Sequence, residues 1–209
     1  MRISGNDVLI VVDVQHDFVS GSMAIAGAQE IITPINSAAK KFDHVVVVTD
    51  WHPKDHVSFA SAHPGAKERD VVQVSYGEQS VFADHCVQGT QGAELAPGLE
   101  LTKAEMIFRK GYRREVDSYG AFLENDKQTV TGLGPYLKAR GLKRVFCAGL
   151  ARYGCVMQSA LGAAGEGFEV FILHDASAGD RNVEENNRIV AEAGIGWLNT
   201  SDLVGAGDA

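Results

Sequence analysis

Val8-Leu9-Ile10-Val11-Val12 is the first apolar run of the chain, and Asp13 follows it directly. A short run that is apolar at every position is typical of a strand buried on both faces, as in a parallel sheet covered by helices. Similar runs recur along the chain, separated by stretches of helical character. This alternation predicts an α/β fold with three αβα layers around a mostly parallel, Rossmann-like sheet.

The remaining runs place further strands at 45–48, 106–108, 145–147 and 168–173. Helices are expected at about 29–41, 131–140, 153–166 and 183–194, with Pro34 starting or kinking the first because proline lacks a backbone donor. The stretch 53–104 has weak periodicity and several prolines and glycines, so it is predicted to be a long functional loop region. We therefore expect a single domain over residues 1–209.

Composition and net charge indicate which kinds of molecule the protein binds. A chain of 209 residues with 45% hydrophobic and 22% charged residues is ordinary for one globular domain. The net charge of −8 argues against nucleic acid and against anionic membranes as partners. A small-molecule substrate is the expected partner, and assembly into a homo-oligomer stays open.

Cysteine usage and the first residues indicate the compartment. The three cysteines are Cys86, Cys147 and Cys155, an odd number without a CxxC pair, which fits neither a disulfide framework nor a zinc ribbon. Residues 1–7 carry no apolar segment of a secretory signal, and no apolar stretch is long enough to span a membrane. A cytoplasmic protein is expected.

Two distant segments supply ligand types that zinc or iron prefers. Asp50 and His52 lie two residues apart at the end of a strand, so their side chains point the same way, and His85 offers a second imidazole. Three ligands would leave a coordination position for water or substrate, as in catalytic sites. The alternative is a solvated strand end with an unrelated surface histidine.

Other chemically active residues also follow predicted strands. Asp13, Lys110 and Cys155 come after three different strands, and the carboxyl ends of parallel strands meet at one crevice. An acid, a lysine and a cysteine make a nucleophilic set in which the carboxylate takes the thiol proton. The alternatives are a small buried cysteine and a solvated lysine.

Six segments in order resemble the nicotinamidases among the isochorismatase-like hydrolases, over nearly the whole chain. They are 13–18, 49–53, 84–90, 109–111, 117–119 and 148–156. The resemblance implies hydrolysis of nicotinamide to nicotinate and ammonia through a cysteine thioester, often with pyrazinamide as a second substrate. It also implies a non-proline cis peptide bond between Leu150 and Ala151.

The resemblance assigns roles residue by residue. The positions that match the catalytic triad are Asp13, Lys110 and Cys155. Those that match the ligands of a divalent metal, with zinc expected and iron or manganese as alternatives, are Asp50, His52 and His85. The ring pocket is matched by Phe18, Phe82 and Tyr119, and the oxyanion hole is expected from the backbone N–H groups of Ala151 and Cys155.

The chain departs from the family pattern close to the nucleophile. Tyr153 and Gly154 stand where the family usually has an aspartate and an aromatic residue, and Phe82 stands where many relatives have tryptophan. Arg152 could favour the thiolate if its side chain turns inward, whereas the alternative is a solvent-facing side chain. His56 is predicted to be a solvated loop residue, with an outer or fourth metal ligand as the alternative.

Two further functions stay open at this point. One is another hydrolase of the same fold that acts on a carbamoyl or ureido compound or on isochorismate. The other is a non-enzymatic binding protein, which would most naturally have lost Cys155 or Lys110. Both residues are present.

Overall fold

Parallel strands form the central sheet of the computed structural model, which describes residues 1–205. Residues 206–209 of the expected domain lie outside this description. Its six strands are β1 Asp7–Val12, β2 His44–Asp50, β5 Met106–Lys110, β6 Arg144–Gly149, β7 Glu169–Ser177 and β8 Gly196–Leu198, and a separate hairpin contains β3 Val71–Val74 and β4 Gly77–Ser80. The strands of the sheet lie in the order β5-β2-β1-β6-β7-β8.

Helices cover both faces of this sheet. They are α1 His16–Val19, α2 Ile32–Ala39, α3 Leu133–Ala139, α4 Met157–Gly165 and α5 Val183–Glu192. Strand β1 shows the layering: Leu9 and Val11 belong to the core that contains α2, while Val8, Ile10 and Val12 belong to the core that contains α3, α4 and α5. The predicted three-layer fold is confirmed. Within residues 1–205, no helix is long and apolar enough to cross a membrane.

Some local predictions need correction. The stretch 53–104 is not all loop, because it contains the hairpin β3–β4, which is short and partly exposed and so gives little apolar signal. The short elements α1 and β8 were not predicted either. The expected helix 153–166 begins later than predicted, because Tyr153 and Gly154 have non-helical backbone angles; a kinked turn, Arg152–Val156, precedes α4. Pro34 lies in the first turn of α2, where its missing donor is tolerated.

The strand order creates a crevice at the carboxyl edge of the sheet. From β1 the chain proceeds in one direction to β2 and β5, and then returns to the other side of β1 with β6, β7 and β8. Open α/β sheets bind ligands where the order reverses in this way. The residues that directly follow β1, β2, β5 and β6 therefore lie in one region, at the carboxyl edge of the sheet.

Candidate active site

Three charged side chains meet where the central strands end. Asp13 directly follows β1, while Asp50 and Lys110 are the last residues of β2 and β5 and are partners in the parallel ladder. Lys110 Nζ lies 2.8 Å from Asp13 Oδ2 and 2.5 Å from Asp50 Oδ1. It also donates to the carbonyl of Ser118 at 3.1 Å. All three charged side chains are buried. One buried ammonium group thus pairs with two buried carboxylates.

Cys155 completes this cluster from the other side of β1. Its Sγ lies 3.6 Å from Lys110 Nζ and within 4.8 Å of carboxylate oxygens of Asp13 and Asp50. Cys155 belongs to the kinked turn Arg152–Val156 that leads into α4, so it stands where a helix begins. The structure thus brings together the three residues that the sequence analysis grouped as a nucleophilic set. The ammonium group among these acidic atoms makes the cluster unsuitable for a metal ion.

Burial and charge shift the acid–base properties of the cluster. Burial, reinforced by the charge of Asp50, raises the pKa of Asp13 to about 7, although Lys110 opposes the shift. Burial also raises the pKa of the Cys155 thiol well above its usual value, and the two carboxylates add to this rise against Lys110. Burial would lower the pKa of Lys110, but Asp13 and Asp50 outweigh it and keep that pKa well above the usual range.

A second cluster shares Asp50 with the first. Asp50 Oδ2 lies 3.5 Å from His52 Nε2 and 4.0 Å from His85 Nε2. The Nδ1 atom of His52 lies 2.8 Å from the Gly111 carbonyl, and that of His85 lies 2.7 Å from the Ala83 carbonyl. A carbonyl only accepts, so Nδ1 carries a proton in each ring, and Nε2, which faces Asp50, is the atom that could bind a metal ion. This donor set fits a divalent metal such as zinc.

Gly111 allows His52 to take this orientation. Its φ is +62°, and a Cβ at this position would lie 2.4 Å from His52 Cε1. A larger residue would therefore displace the ring and break the contact between the Gly111 carbonyl and Nδ1. The backbone after β5 thus fixes a side chain that follows β2.

His56 is buried, so the prediction of a solvated residue is wrong. Its ring stacks on His52 with centroids 4.1 Å apart, and Nδ1 lies 2.7 Å from Ser58 Oγ. Burial and the charge of His52 lower the pKa of His56 to about 4. His52, His56 and Asp117 form a second group with metal-ligand spacing. Asp117 is the poorer ligand, because its two oxygens already accept hydrogen bonds.

The three predicted ring-pocket residues line a cavity of about 330 Å³. The Phe18 ring packs against His85 with centroids 5.3 Å apart, and the Phe82 ring lies 6.1 Å from His85 and 6.5 Å from Tyr119. Cys155 also lines this cavity. A flat ring can therefore lie against aromatic side chains while it reaches both the thiol and the histidines.

Two buried glutamines support the site, and the sequence analysis missed both. Gln15 donates to the carbonyls of Asp50 and Ala93 at 2.8 and 2.9 Å, and it accepts from the Asp50 N–H at 2.8 Å. Gln79, on β4, donates to Tyr119 Oη and to Asp117 Oδ2, both at 3.0 Å. Gln15 could have been found, since it lies two residues after Asp13 within a family segment. No sequence signal pointed to Gln79.

The backbone beside Cys155 has a donor without an acceptor. The Leu150–Ala151 peptide bond is cis, as the resemblance implies. Within residues 1–205, the Ala151 N–H donates to no acceptor, and Ala151 lines the same cavity as Cys155. Backbone donors are rarely left unpaired in folded proteins. This one is available to a ligand.

Arg152 has a structural environment that neither sequence interpretation anticipated. The residue is 8% exposed, so the solvent-facing alternative is wrong. Its guanidinium group donates to Ser177 Oγ at 3.2 Å and to the His174 carbonyl at 3.0 Å, and it pairs with Asp180. None of these bonds involves Cys155. Arg152 joins the kinked turn that contains Cys155 to the end of β7.

Comparison with known proteins agrees with this geometry. Residues 7–193 match the isochorismatase domain. The chain belongs to the isochorismatase family. Within that family it is 47% identical to a nicotinamidase of Acinetobacter baylyi over 177 residues, which cover 84% of this chain and 83% of the relative.

Solved structures of family members have the same architecture. A nicotinamidase and pyrazinamidase of Acinetobacter baumanii superimposes with a TM-score of 0.93 at 40% identity, covering 95% of this chain and 98% of that one. A pyrazinamidase of Pyrococcus horikoshii in complex with zinc gives a TM-score of 0.77 at 30% identity, covering 93% and 99%. The isochorismatase-like fold expected from the sequence is confirmed.

Proposed function

We propose that this member of the isochorismatase family hydrolyses nicotinamide to nicotinate and ammonia, with pyrazinamide as a second substrate. The observation that carries the proposal is that Cys155 lines one cavity with Asp50, His52 and His85, while Asp13 and Lys110 lie beside Cys155 and Asp50. The relatives named as nicotinamidases support the choice of substrate. The proposed partner is thus a small amide, bound by a single domain.

Asp13 is the proposed general base. In the first step the Asp13 carboxylate takes the proton of the Cys155 thiol, and the thiolate attacks the carboxamide carbon of the substrate. The raised pKa of Asp13, about 7, suits a group that gains and loses a proton near neutral pH. Lys110 holds the carboxylate by its contact of 2.8 Å and stabilises the negative charge of the thiolate.

The remaining steps return the enzyme to its starting state. Asp13 gives its proton to the departing nitrogen as the carbon–nitrogen bond breaks, so ammonia leaves and a thioester on Cys155 remains. Asp13 then takes a proton from water, whose oxygen attacks the thioester carbon. The carbon–sulfur bond breaks, nicotinate is released and the thiol regains its proton.

Backbone N–H groups are proposed to stabilise the tetrahedral intermediates. Ala151 has a free N–H at the cavity, and Cys155 lies where a helix begins and N–H groups lack helical acceptors. Together they form the proposed oxyanion hole. Loss of one such donor typically lowers the rate by about 10²–10³.

Asp50, His52 and His85 would hold a divalent metal ion, for which zinc is proposed. Once bound, the ion would act as a Lewis acid and would hold the pyridine nitrogen of the substrate or an ordered water. The cavity surroundings fit a cation, because two buried carboxylates, those of Asp50 and Asp117, line the cavity. Phe18, Phe82 and Tyr119 are proposed to hold the substrate ring from one side.

An assay of ammonia release tests this function. The metal-loaded protein is given nicotinamide, pyrazinamide, benzamide and an N-carbamoyl amino acid in parallel. Fast release from the first two amides and slow release from the others is expected. Preference for the N-carbamoyl compound would instead favour the other hydrolases of this fold, and release from none of the amides would favour a binding protein.

A further inference from the structure

Asp17 lies in the first turn of α1, beside the ring-pocket residue Phe18, and it has no part in the proposed reaction. Its Oδ2 atom accepts the backbone N–H of Cys86 at 2.8 Å, 69 positions further along the chain. That N–H belongs to the peptide group that joins Cys86 to His85. A side chain of α1 is therefore bonded to the peptide group that directly follows a proposed metal ligand.

The backbone at Cys86 is strained, and both of its polar groups are bonded. Its φ is +47°, in the left-handed region that residues other than glycine rarely adopt. The Cys86 carbonyl accepts the backbone N–H of His52 at 3.0 Å, while its N–H donates to Asp17. Cys86 thus links the chain segments that carry His52 and His85, and Asp17 holds that link from outside.

Two glycines leave room for the Asp17 carboxylate. A Cβ at Gly92 would overlap Oδ2, and a Cβ at Gly21 would overlap Oδ1. Neither glycine has a positive φ, so the backbone angle does not itself require glycine at these positions. What both positions require is space for the carboxylate. The chain on two sides of Asp17 therefore accommodates this one hydrogen-bond acceptor.

Helix α1 and the residues after it contact three consecutive residues of the segment that carries His85. Ser22 Oγ donates to the Asp84 carbonyl at 2.8 Å, and the Phe18 ring packs against that of His85 with centroids 5.3 Å apart. The hydrogen bond to the Cys86 N–H is the third contact. Among these three it alone has a carboxylate as acceptor, and hydrogen bonds to charged groups are the stronger kind.

We propose that Asp17 is a positioning residue for the metal site, because its hold on the Cys86 N–H fixes the direction in which His85 presents Nε2 to the ion. This inference rests on the metal site of the proposed function. Asp17 itself does not line the cavity, so it acts through the peptide group and not by contact with substrate. Loss of a group that orients a metal ligand typically weakens metal binding by about 10–100-fold.

The test compares Asp17→Ala and Asp17→Asn with the wild type in zinc affinity, measured by competition with a chelator, and in the visible spectrum of the Co²⁺-loaded protein. Asp17→Ala should raise the Kd for zinc at least about tenfold and change the Co²⁺ bands, because His85 loses its fixed direction. Asp17→Asn keeps an oxygen that can accept the same N–H, so it should bind zinc at least about threefold more tightly than Asp17→Ala. An unchanged Kd in Asp17→Ala, or equal losses in the two variants, overturns the inference.

Asp175→Ala is the matched control and should bind zinc as the wild type does. The exposed Asp175 carboxylate also accepts a backbone N–H at 2.8 Å, that of Thr200, and lies outside the cavity. Zinc binding without ammonia release from nicotinamide would remove the proposed function and leave this inference standing. Ammonia release by a wild-type protein that binds no divalent metal would remove this inference alone.

A second variant displaces the carboxylate without removing it. If Asp17→Ala does not fold, Gly92→Ala replaces it, since the added Cβ forces the Asp17 carboxylate to move. Gly132→Ala is its control, because a Cβ at Gly132 would have no neighbour within 4 Å among residues 1–205. A folded Gly92→Ala protein should also bind zinc at least about tenfold more weakly. Wild-type zinc affinity in that variant contradicts the inference.

Discussion

The two sides of the cavity are built by different means. On the strand side, Asp13, Asp50 and Lys110 stand at the ends of adjacent parallel strands, and the backbone ladder determines their spacing. On the loop side, His85 and Tyr119 stand in irregular chain, and their side chains are oriented by hydrogen bonds from Nδ1 to the Ala83 carbonyl and from Gln79 to Oη. The comparison indicates that strand ends hold the acid and the ammonium group of the proposed chemistry, while loops carry substrate choice.

The largest loss of activity is expected when the nucleophile is removed. Cys155→Ala should lower ammonia release at least about 10³-fold, because the thioester can no longer form. Nicotinamide binding, measured by calorimetry, should change little, since the loop side is intact. The Cys86→Ala variant is the control, because this buried cysteine lies outside the catalytic set. Equal loss of nicotinamide binding and turnover in Cys155→Ala would show that the strand side and the loop side of the cavity do not act separately in catalysis and binding.

The Asp13→Asn variant tests the role of the general base on the strand side of the cavity. Turnover should fall by a factor of about 10³, as expected for loss of a general base. The thiol pKa should fall as well. In the wild type, burial raises the pKa of Cys155 and the Asp13 carboxylate raises it further, so removal of that charge should lower it. Iodoacetamide alkylation as a function of pH measures this shift, and a higher pKa in the variant would refute the assigned role.

Loss of the metal cluster tests the loop side. If the ion holds the pyridine nitrogen, nicotinamide has an interaction that benzamide lacks. Chelation, or His85→Ala, should then reduce the preference for nicotinamide about tenfold or more, as the ratio of kcat/KM values. His63→Ala is a control, because its ring bonds the Val57 carbonyl instead of facing Asp50. A preference that survives metal removal would mean that Asp50, His52 and His85 do not recognise the ring.

The smallest effect on activity is expected at Arg152, which contacts neither side. Arg152→Ala should lower the free energy of unfolding by about 2 kcal/mol, because Ser177 and the His174 carbonyl lose their buried donor. The exposed Arg114, paired with Asp55, is the control, and its replacement by alanine should cost under about 1 kcal/mol. The thiol titration of Arg152→Ala should match the wild type. A clear shift would restore the idea that Arg152 favours the thiolate.

The strand side could be predicted from the sequence, and much of the loop side could not. The apolar run before Asp13 and the valines before Asp50 define strand ends, and parallel topology brings such ends together. Gln79 is different, because its role depends on a hairpin whose short strands give no strong periodic signal. The burial of His56 depends on stacking against His52, which spacing along the chain does not reveal.

The most direct test of the account is to find the covalent intermediate. The metal-loaded protein is mixed with nicotinamide, quenched in acid within the first turnovers, and analysed by intact mass and peptide mapping. The account predicts a nicotinoyl group on Cys155, absent from Cys155→Ala under the same conditions. A nicotinoyl group on any other residue, or ammonia release by Cys155→Ala at a rate comparable to that of the wild type, would contradict it.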